Sequence, residues 1–411
     1  MDCKACGNGT IWFLDLGHHP PSDSFLTNEQ LNEPETYYPL NVHVCSSCGL
    51  VQLGYIVDKN ILFNDKYPYL TGSNKDGVKH YHNLAKEVYD RFKLSKNDLV
   101  VDVGSNDGTL LRGFKDLGCL VMGVEPCSNL SNYALESGIP TACTWFSSHK
   151  TDYLLFKPRV ITACNVFAHV EDTNDFIATV AKILSKDGVF IIESPYLLDM
   201  VDGLAYDTIY HEHIYYWSYI PLEKLLAKYG LEVFDMEKQD VHGSTMRYYI
   251  GRAGRHDRIR HRVTSVYETE KRFGVDNLIE FSERVVEHRR DLRNLLGRIK
   301  ARGKKIFGIS APAKGNTLLN YCNIGTETLD YITEINPIKV GKYTPGTHIP
   351  VIHESVSVGS EYALILAWNW KDQIIANSKE FIKNGGRFIV PIQDPRIERI
   401  GSGLWGVVDG L

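Results

Sequence analysis

Seven residues, Tyr210-His211-Glu212-His213-Ile214-Tyr215-Tyr216, carry two imidazoles, one carboxylate and three phenols. Imidazole exchanges protons near neutral pH, so the cluster suits acid–base work. His-Glu-His also hints at a metal site, but a zinc-protease helix needs its histidines four apart on one face. Two apart on a helix, they point in nearly opposite directions; on an extended segment they share a face, with no third ligand nearby in the chain. The heptad therefore reads as a proton-transfer cluster, with His211 and His213 nearly tied as the base.

A metal is expected elsewhere. Cys3-Lys4-Ala5-Cys6 and Cys45-Ser46-Ser47-Cys48 are two Cys-x-x-Cys knuckles about 40 residues apart. Such spacing lets paired sulfurs face one ion across a tight turn, and Gly7 and Gly49 suit the left-handed residue that follows. Four thiolates leave no labile position, so Cys3, Cys6, Cys45 and Cys48 read as ligands of structural zinc. The short polar segment between them buries little by itself, and the metal is expected to fold it. Cys119, Cys127, Cys143, Cys164 and Cys322 lack such spacing and read as packing residues.

These groups need a scaffold. A helical pattern over Lys79 to Lys93 leads into the apolar strand Asp98 to Gly104, the turn Gly104-Ser105-Asn106-Asp107-Gly108-Thr109, a helix from Leu110, and the strand Leu120 to Val124 ending on Glu125. That order is the grammar of a nucleotide-binding α/β half. A dinucleotide fold prefers G-x-G-x-x-G; here the spacing is G-x-x-x-G, with Asp102 inside the strand. This resembles the first motif of class I S-adenosylmethionine (SAM) methyltransferases. Asp102, Gly104, Ser105, Asn106, Gly108, Glu125 and Asn165 are the expected cofactor residues, Glu125 accepting from the ribose hydroxyls. The strands Val160 to Cys164 and Gly188 to Pro195 deliver Asn165 and His169 to the carboxyl edge of the same sheet, where ligands bind.

After the heptad come a helix from Leu222 to Leu231 and two strands. Asn277 to Ala301 repeats apolar residues at three- and four-residue steps and reads as one long helix. A second α/β unit follows, with strands at Lys305 to Ser310, Leu329 to Thr333, Tyr362 to Asn369 and Arg387 to Pro391. Its turn Lys314-Gly315-Asn316-Thr317 lacks P-loop spacing but offers amides and a lysine to a phosphate. Lys342 lies in a loop of similar character. The expected architecture is a class I (Rossmann-like) α/β methyltransferase domain, residues 67–252, between a zinc-binding domain, 1–66, and a second Rossmann-like α/β domain, 253–411, that holds the substrate nucleotide.

A net charge of −5 without a long basic run argues against bulk nucleic-acid binding. No apolar run approaches the ~18 residues of a membrane span, and no secretion signal opens the chain. A cytoplasmic protein is the expectation.

Taken in order, the two knuckles, D-x-G-S-N-D-G-T, N-V-F-A-H, Y-H-E-H and H-G-S-T-M-R resemble the sugar C-methyltransferases acting on nucleotide-linked 4-keto-deoxyhexoses, over essentially the whole chain. The resemblance implies SAM-dependent methylation at C3, beside the C4 ketone, through an enolate. It implies His213 as general base, with Glu212 and Tyr210 beside it and Tyr69, Asn165 and His169 around the sugar. His242, Arg247, Lys314, Asn316 and Lys342 are the expected substrate contacts. The family's His-Gly-Gly-Ser run stands here as His242-Gly243-Ser244-Thr245, which puts a backbone contact at Ser244 in doubt. Competing readings are O- or N-methylation of a related nucleotide sugar, a zinc-ribbon nucleic-acid-modifying protein, and a nicotinamide-dependent oxidoreductase. The acidic net charge and the missing Asn/Asp-Pro-Pro-Tyr signature count against the nucleic-acid-modifying protein, and the glycine spacing against the oxidoreductase.

Overall fold

The computed structural model describes residues 1–411 except 74, 240–243, 356–358, 402–403 and 408–411, with backbone alone for 399–401 and 404–407. In chain order the strands are β1 (Thr10–His19), β2 (Tyr38–Cys45), β3 (Val51–Leu53), β4 (Leu99–Val103), β5 (Leu120–Val124), β6 (Thr141–Ala142), β7 (Val160–Cys164), β8 (Val189–Pro195) and β9 (Tyr215–Tyr216). They continue as β10 (Leu231–Gln239), β11 (Thr245–Arg252), β12 (Ile306–Ile309), β13 (Ile332–Glu334), β14 (Val351–His353), β15 (Tyr362–Ile365), β16 (Arg387–Val390), β17 (Arg396–Gly401) and β18 (Leu404–Val407).

Three sheets result. The central one runs β10-β11-β8-β7-β4-β5-β6, with β11 antiparallel to its neighbours. Val100, Val101, Ile161, Ala163, Phe190 and Ile192 are fully buried. Parallel strands covered on both faces need such near-continuous apolar runs, which is why these were readable in the sequence. The strand order reverses between β4 and β7, the crevice where open α/β sheets bind ligands.

The third sheet, β14-β13-β12-β15-β16-β17-β18, is parallel from β14 to β16 and reverses between β12 and β15. The helix Val275–Ala301 precedes it and buries Leu278, Phe281, Val285, Leu292, Leu295 and Ile299 along one stripe. Lys314 to Thr317 is not a turn: it lies in the first turns of the helix Ala313–Cys322, which opens after Pro312. Proline presets the backbone angle that a helix start requires and lacks the amide that would go unpaired there.

The first sheet joins β1, β2 and β3 to β9, so two residues of the heptad complete the cysteine-bearing sheet. Val51 pairs with Tyr216, Gln52 with Tyr215, and the Leu53 amide donates to the Ile214 carbonyl at 2.8 Å.

Candidate active site

The four expected thiols converge. Their sulfurs all lie within 4.8 Å of one another, with Cys3 and Cys48 at 3.6 Å and Cys6 and Cys45 at 3.5 Å. A tetrahedral ion with metal–sulfur bonds of ~2.3 Å holds its sulfurs ~3.8 Å apart, so the donor set fits zinc. The amides of Ser47 and Cys48 donate to Cys45 Sγ, as a thiolate requires, and Gly7 and Gly49 take φ of 78° and 81°. No His/Cys/Asp/Glu group among the described residues other than these cysteines is close enough to hold a metal. Of the remaining cysteines Cys143 is exposed, so it is not a packing residue; its neighbours in the loop after β6 leave it at the surface.

The glycine loop after β4 lines one end of a cavity of about 1650 Å³. Asp102, Gly104, Ser105, Asn106, Glu125 and Asn165 all contribute to its wall. Gly104 has φ 66°, and a Cβ there would meet Val166 Cγ2 at 2.4 Å. Only glycine suits that bend and that approach. Glu125 is held by the Asn106 amide (2.9 Å) and the Cys127 amide (2.8 Å). Burial lifts its carboxyl above the usual value, and those two amides oppose the rise. Asp102 accepts from Thr162 Oγ1 at 2.6 Å, and burial pushes it up to about 7. The buried Ser105 Oγ has no partner in the protein. Buried carboxylates, a close-approach glycine and an unpaired hydroxyl around one concavity fit the ribose hydroxyls and ammonium of SAM. Gly108 does not line the cavity; with φ 77° it starts the helix Thr109–Asp116 against Ile139.

Ahead of β9, residues 210–214 of the heptad are neither helix nor strand. The His213 amide donates to the Tyr210 carbonyl at 2.9 Å, a turn that brings both side chains to the cavity. His213 Nδ1 lies 2.8 Å from the Thr208 carbonyl, and a carbonyl only accepts, so Nδ1 carries the proton. Nε2 is then the acceptor on the neutral ring, and the Tyr210 hydroxyl donates to it at 2.8 Å. His211 faces away: its ring meets the Tyr38 ring edge-on at 5.9 Å and does not line the cavity. Burial holds its ring down to about 4. The turn thus separates the two imidazoles that spacing alone left equivalent.

Aromatic packing sets the His213 plane. His169 stacks on it at 5.1 Å and on Phe63 at 5.5 Å. His169 lines this cavity with its Nε2 buried without a partner, and burial lowers its ring to about 4, so it is neutral at pH 7. Tyr69 lies on the cavity wall, 45% exposed. The Tyr67 hydroxyl donates to Glu212 Oε2 at 2.9 Å. Asn106 fastens this tyrosine loop to the glycine loop, accepting from the Thr71 amide (3.0 Å) and donating to the Tyr69 carbonyl (3.0 Å).

The third sheet closes the cavity with its carboxyl edge, and Lys314 is among its contributions. Three other expected substrate contacts do not line it. Asn316, two residues on, points to the opposite side of the helix and donates to the Ser22 carbonyl at 2.6 Å. Arg247 is 1% exposed on β11, its Nε 2.6 Å from Glu193 and its Nη1 2.7 Å from Glu87. Burial pushes the Glu193 carboxyl up, but His80 and Arg247 outweigh it and hold it below the usual value. Arg247 thus neutralises a carboxylate inside the sheet. Lys342 is half-buried outside the cavity, facing Lys66 and Lys339. His242 lies outside the described residues; the Ser244 hydroxyl donates to Asp199.

Sequence reasoning missed Asp23, Asp207, Lys339 and Trp368. Asp207 is fully buried and accepts from Trp368 Nε1 at 2.6 Å. Asp207 adjoins the heptad, a signal that could have been read; Asp23, Lys339 and Trp368 had none, because their partners lie more than 150 residues away in the chain.

Three family models match the chain in succession: a zinc binding domain over residues 3–63, a methyltransferase domain over 78–235, and the C-methyltransferase C-terminal domain over 240–393. The C-methyltransferase NovU of Streptomyces niveus is 33% identical over 406 residues, covering 96% of each chain. Among solved structures, SAM-bound magnesium protoporphyrin IX methyltransferase from Synechocystis PCC 6803 is 13% identical, covering 43% of this chain and 79% of its own, with a TM-score of 0.34. YcgJ of Bacillus subtilis is 14% identical, covering 43% and 100%, with a TM-score of 0.35. No helix among the described residues is long and apolar enough to cross a membrane.

Proposed function

The chain belongs to the SAM-dependent C-methyltransferases, and from that premise we propose that it methylates C3 of a nucleotide-diphosphate-linked 4-keto-deoxysugar through an enolate. The observation that carries this reading is the Tyr210–His213–Thr208 relay on the wall of the same cavity as the glycine loop. A carbon beside a ketone is a very weak acid, so its deprotonation needs a base with a bare nitrogen at neutral pH and a donor for the enolate oxygen. His213 Nε2 takes the C3 proton. The Tyr210 phenol, leaving Nε2, donates to the oxygen at C4. Thr208 holds Nδ1–H and thereby keeps the second nitrogen bare.

Bound SAM supplies a methyl group already activated on a sulfonium, so no nucleophilic side chain is required. The protein's part is in-line placement of the enolate carbon. Asp102, Gly104 and Glu125 hold the donor, while His169, Asn165 and Tyr69 surround the sugar. Residues 253–411 hold the nucleotide, with Lys314 toward the phosphates.

The test is exchange of solvent deuterium into C3 of a nucleotide 4-ketosugar. His213→Ala is expected to slow exchange by roughly 10²–10⁴-fold, with thermal stabilisation by S-adenosylhomocysteine retained. Undiminished exchange in that variant refutes the assignment.

A further inference from the structure

The third sheet repeats the layout of the cofactor loop. Ser310 follows β12 with φ 65°, as Gly104 follows β4 with φ 66°. The Ser310 amide donates to the Thr333 carbonyl at 2.8 Å, and the Gly104 amide to the Val124 carbonyl at 2.7 Å. β13 ends on Glu334, as β5 leads to Glu125. Glu334 Oε2 accepts from the Ala311 amide at 2.8 Å, and Oε1 from the Ile335 and Asn336 amides at 2.7 and 3.0 Å. Glu125 is held in the same way, by one amide of the preceding loop and one two residues further on. Glu334 lines the cavity. A carboxylate offers roughly four acceptor sites; described residues take three, and the fourth is on Oε2. In the G-x-G-x-x-G register of a nucleotide-binding half, Ser310, Pro312 and Gly315 hold the glycine positions. Gly315 keeps the packing role, because a Cβ there would meet Leu366 Cβ at 3.0 Å. Pro312 stands where backbone would approach a pyrophosphate, with ring bulk and no amide to offer. The loop therefore suits a nucleoside end and not a dinucleotide.

We propose that Glu334 selects the pentose of the substrate's nucleoside: it accepts from the 2′-hydroxyl of a ribonucleoside diphosphate, so the chain prefers ribonucleotide-linked to 2′-deoxyribonucleotide-linked sugars. The inference rests on the function proposed above, in which residues 253–411 hold the nucleotide. An acid ending the second strand of such a half is placed to take the 2′-hydroxyl. The 2′-deoxy analogue forfeits that bond and leaves the carboxylate oxygen facing the ligand without a donor. The base has its own wall. Phe307 in β12 and Tyr331 just ahead of β13 stack at 5.4 Å, with Phe381 edge-on to Phe307 at 5.5 Å, and all three line the cavity. The Asn336 side chain donates to the Pro68 carbonyl at 3.0 Å, so the turn that holds Glu334 also reaches the loop carrying Tyr69.

The experiment is calorimetric titration of the zinc-loaded full chain with S-adenosylhomocysteine bound. The probes are the diphosphates of uridine, cytidine, guanosine and adenosine, each beside its 2′-deoxy form, and thymidine diphosphate. The ribonucleotide that binds best is expected to exceed its 2′-deoxy partner in affinity by roughly 10-fold or more. Glu334→Gln is expected to bring that ratio close to one, chiefly by weakening the ribonucleotide. Stabilisation by S-adenosylhomocysteine reports that the variant is folded. Should it not fold, the ratio in the parent protein still reads the preference, and Glu334→Asp, whose shorter carboxylate falls back from the ligand, should lower it. Equal affinities for the two pentoses in the parent, or tightest binding of thymidine diphosphate, overturn the proposal while the nucleotide-holding role of residues 253–411 stands. A ratio unchanged in a folded Glu334 variant overturns the assignment to this residue. Binding of none of these diphosphates refutes the nucleotide role itself, and the proposal with it.

Discussion

The cofactor loop and the base cluster face one cavity but are built over different distances along the chain. Asn106, Glu125 and Cys127 bond to one another within a single strand–loop–strand unit, and Asp102 needs only Thr162 on the adjacent strand. The base cluster draws on all three sheets. β9 is paired to the cysteine-bearing sheet, Asp207 is held by Trp368, and Glu212 is faced by Asp23 and Lys339. The difference implies that SAM binding survives damage that destroys proton transfer. The first belongs to one sheet; the second exists only where three sheets meet.

The largest expected effect comes from the metal. Stripping zinc with a chelator, or Cys45→Ser, removes the ion that folds the segment carrying β1 to β3, and β9 loses its partner. Deuterium exchange is expected to fall by ~100-fold or more, the scale of losing a positioned base, while S-adenosylhomocysteine still raises the melting temperature. Equal loss of both activities, measured side by side, breaks the comparison. The converse variant is Gly104→Ala. A left-handed Cβ costs ~1–2 kcal/mol, before the 2.4 Å approach to Val166 is relieved. Cofactor affinity by calorimetry should drop ~10-fold or more while cofactor-free exchange persists.

Trp368→Phe sharpens the comparison from the far side of the cavity. It leaves Asp207 buried with one donor fewer, at a cost of ~1–3 kcal/mol, read as a lower denaturation midpoint with slower exchange. The smallest effect concerns acid stability. Burial depresses His169 to about 4 from its ordinary 6.5, so between those values the unfolded chain takes up the proton first. Stability attached to neutral His169 is therefore present above pH 6.5 and is lost as pH falls toward 4. His169→Phe should flatten that slope by about 1 kcal/mol, allowing for the ring's partial exposure. An unchanged slope in urea titrations at pH 5 and 7 removes His169 from the buried cluster.

Local chemistry was legible along the chain. The strand Leu120–Val124 matched its expected limits, β4 and β8 came within a residue or two, and the long helix began two residues earlier than its periodicity indicated. The knuckles announced their sulfur cluster because Cys-x-x-Cys encodes its own turn. Arg247 was misread for the opposite reason. A charged residue near a motif resembles a ligand contact until its cross-strand partner, here Glu193, is known.

The heptad marks the boundary between these two kinds of information. Residue types alone placed a cluster of titratable groups at 210–216 and assigned the metal to the four cysteines. Which imidazole faces the cavity was decided by the tertiary structure: the Tyr210–His213 turn points one ring at the cavity and packs the other against Tyr38. Spacing fixes angles only within a regular element, and this segment is a turn held by contacts from three sheets. Those contacts, with Asp23 and Lys339 among them, join residues hundreds of positions apart, and no local pattern encodes such a pairing.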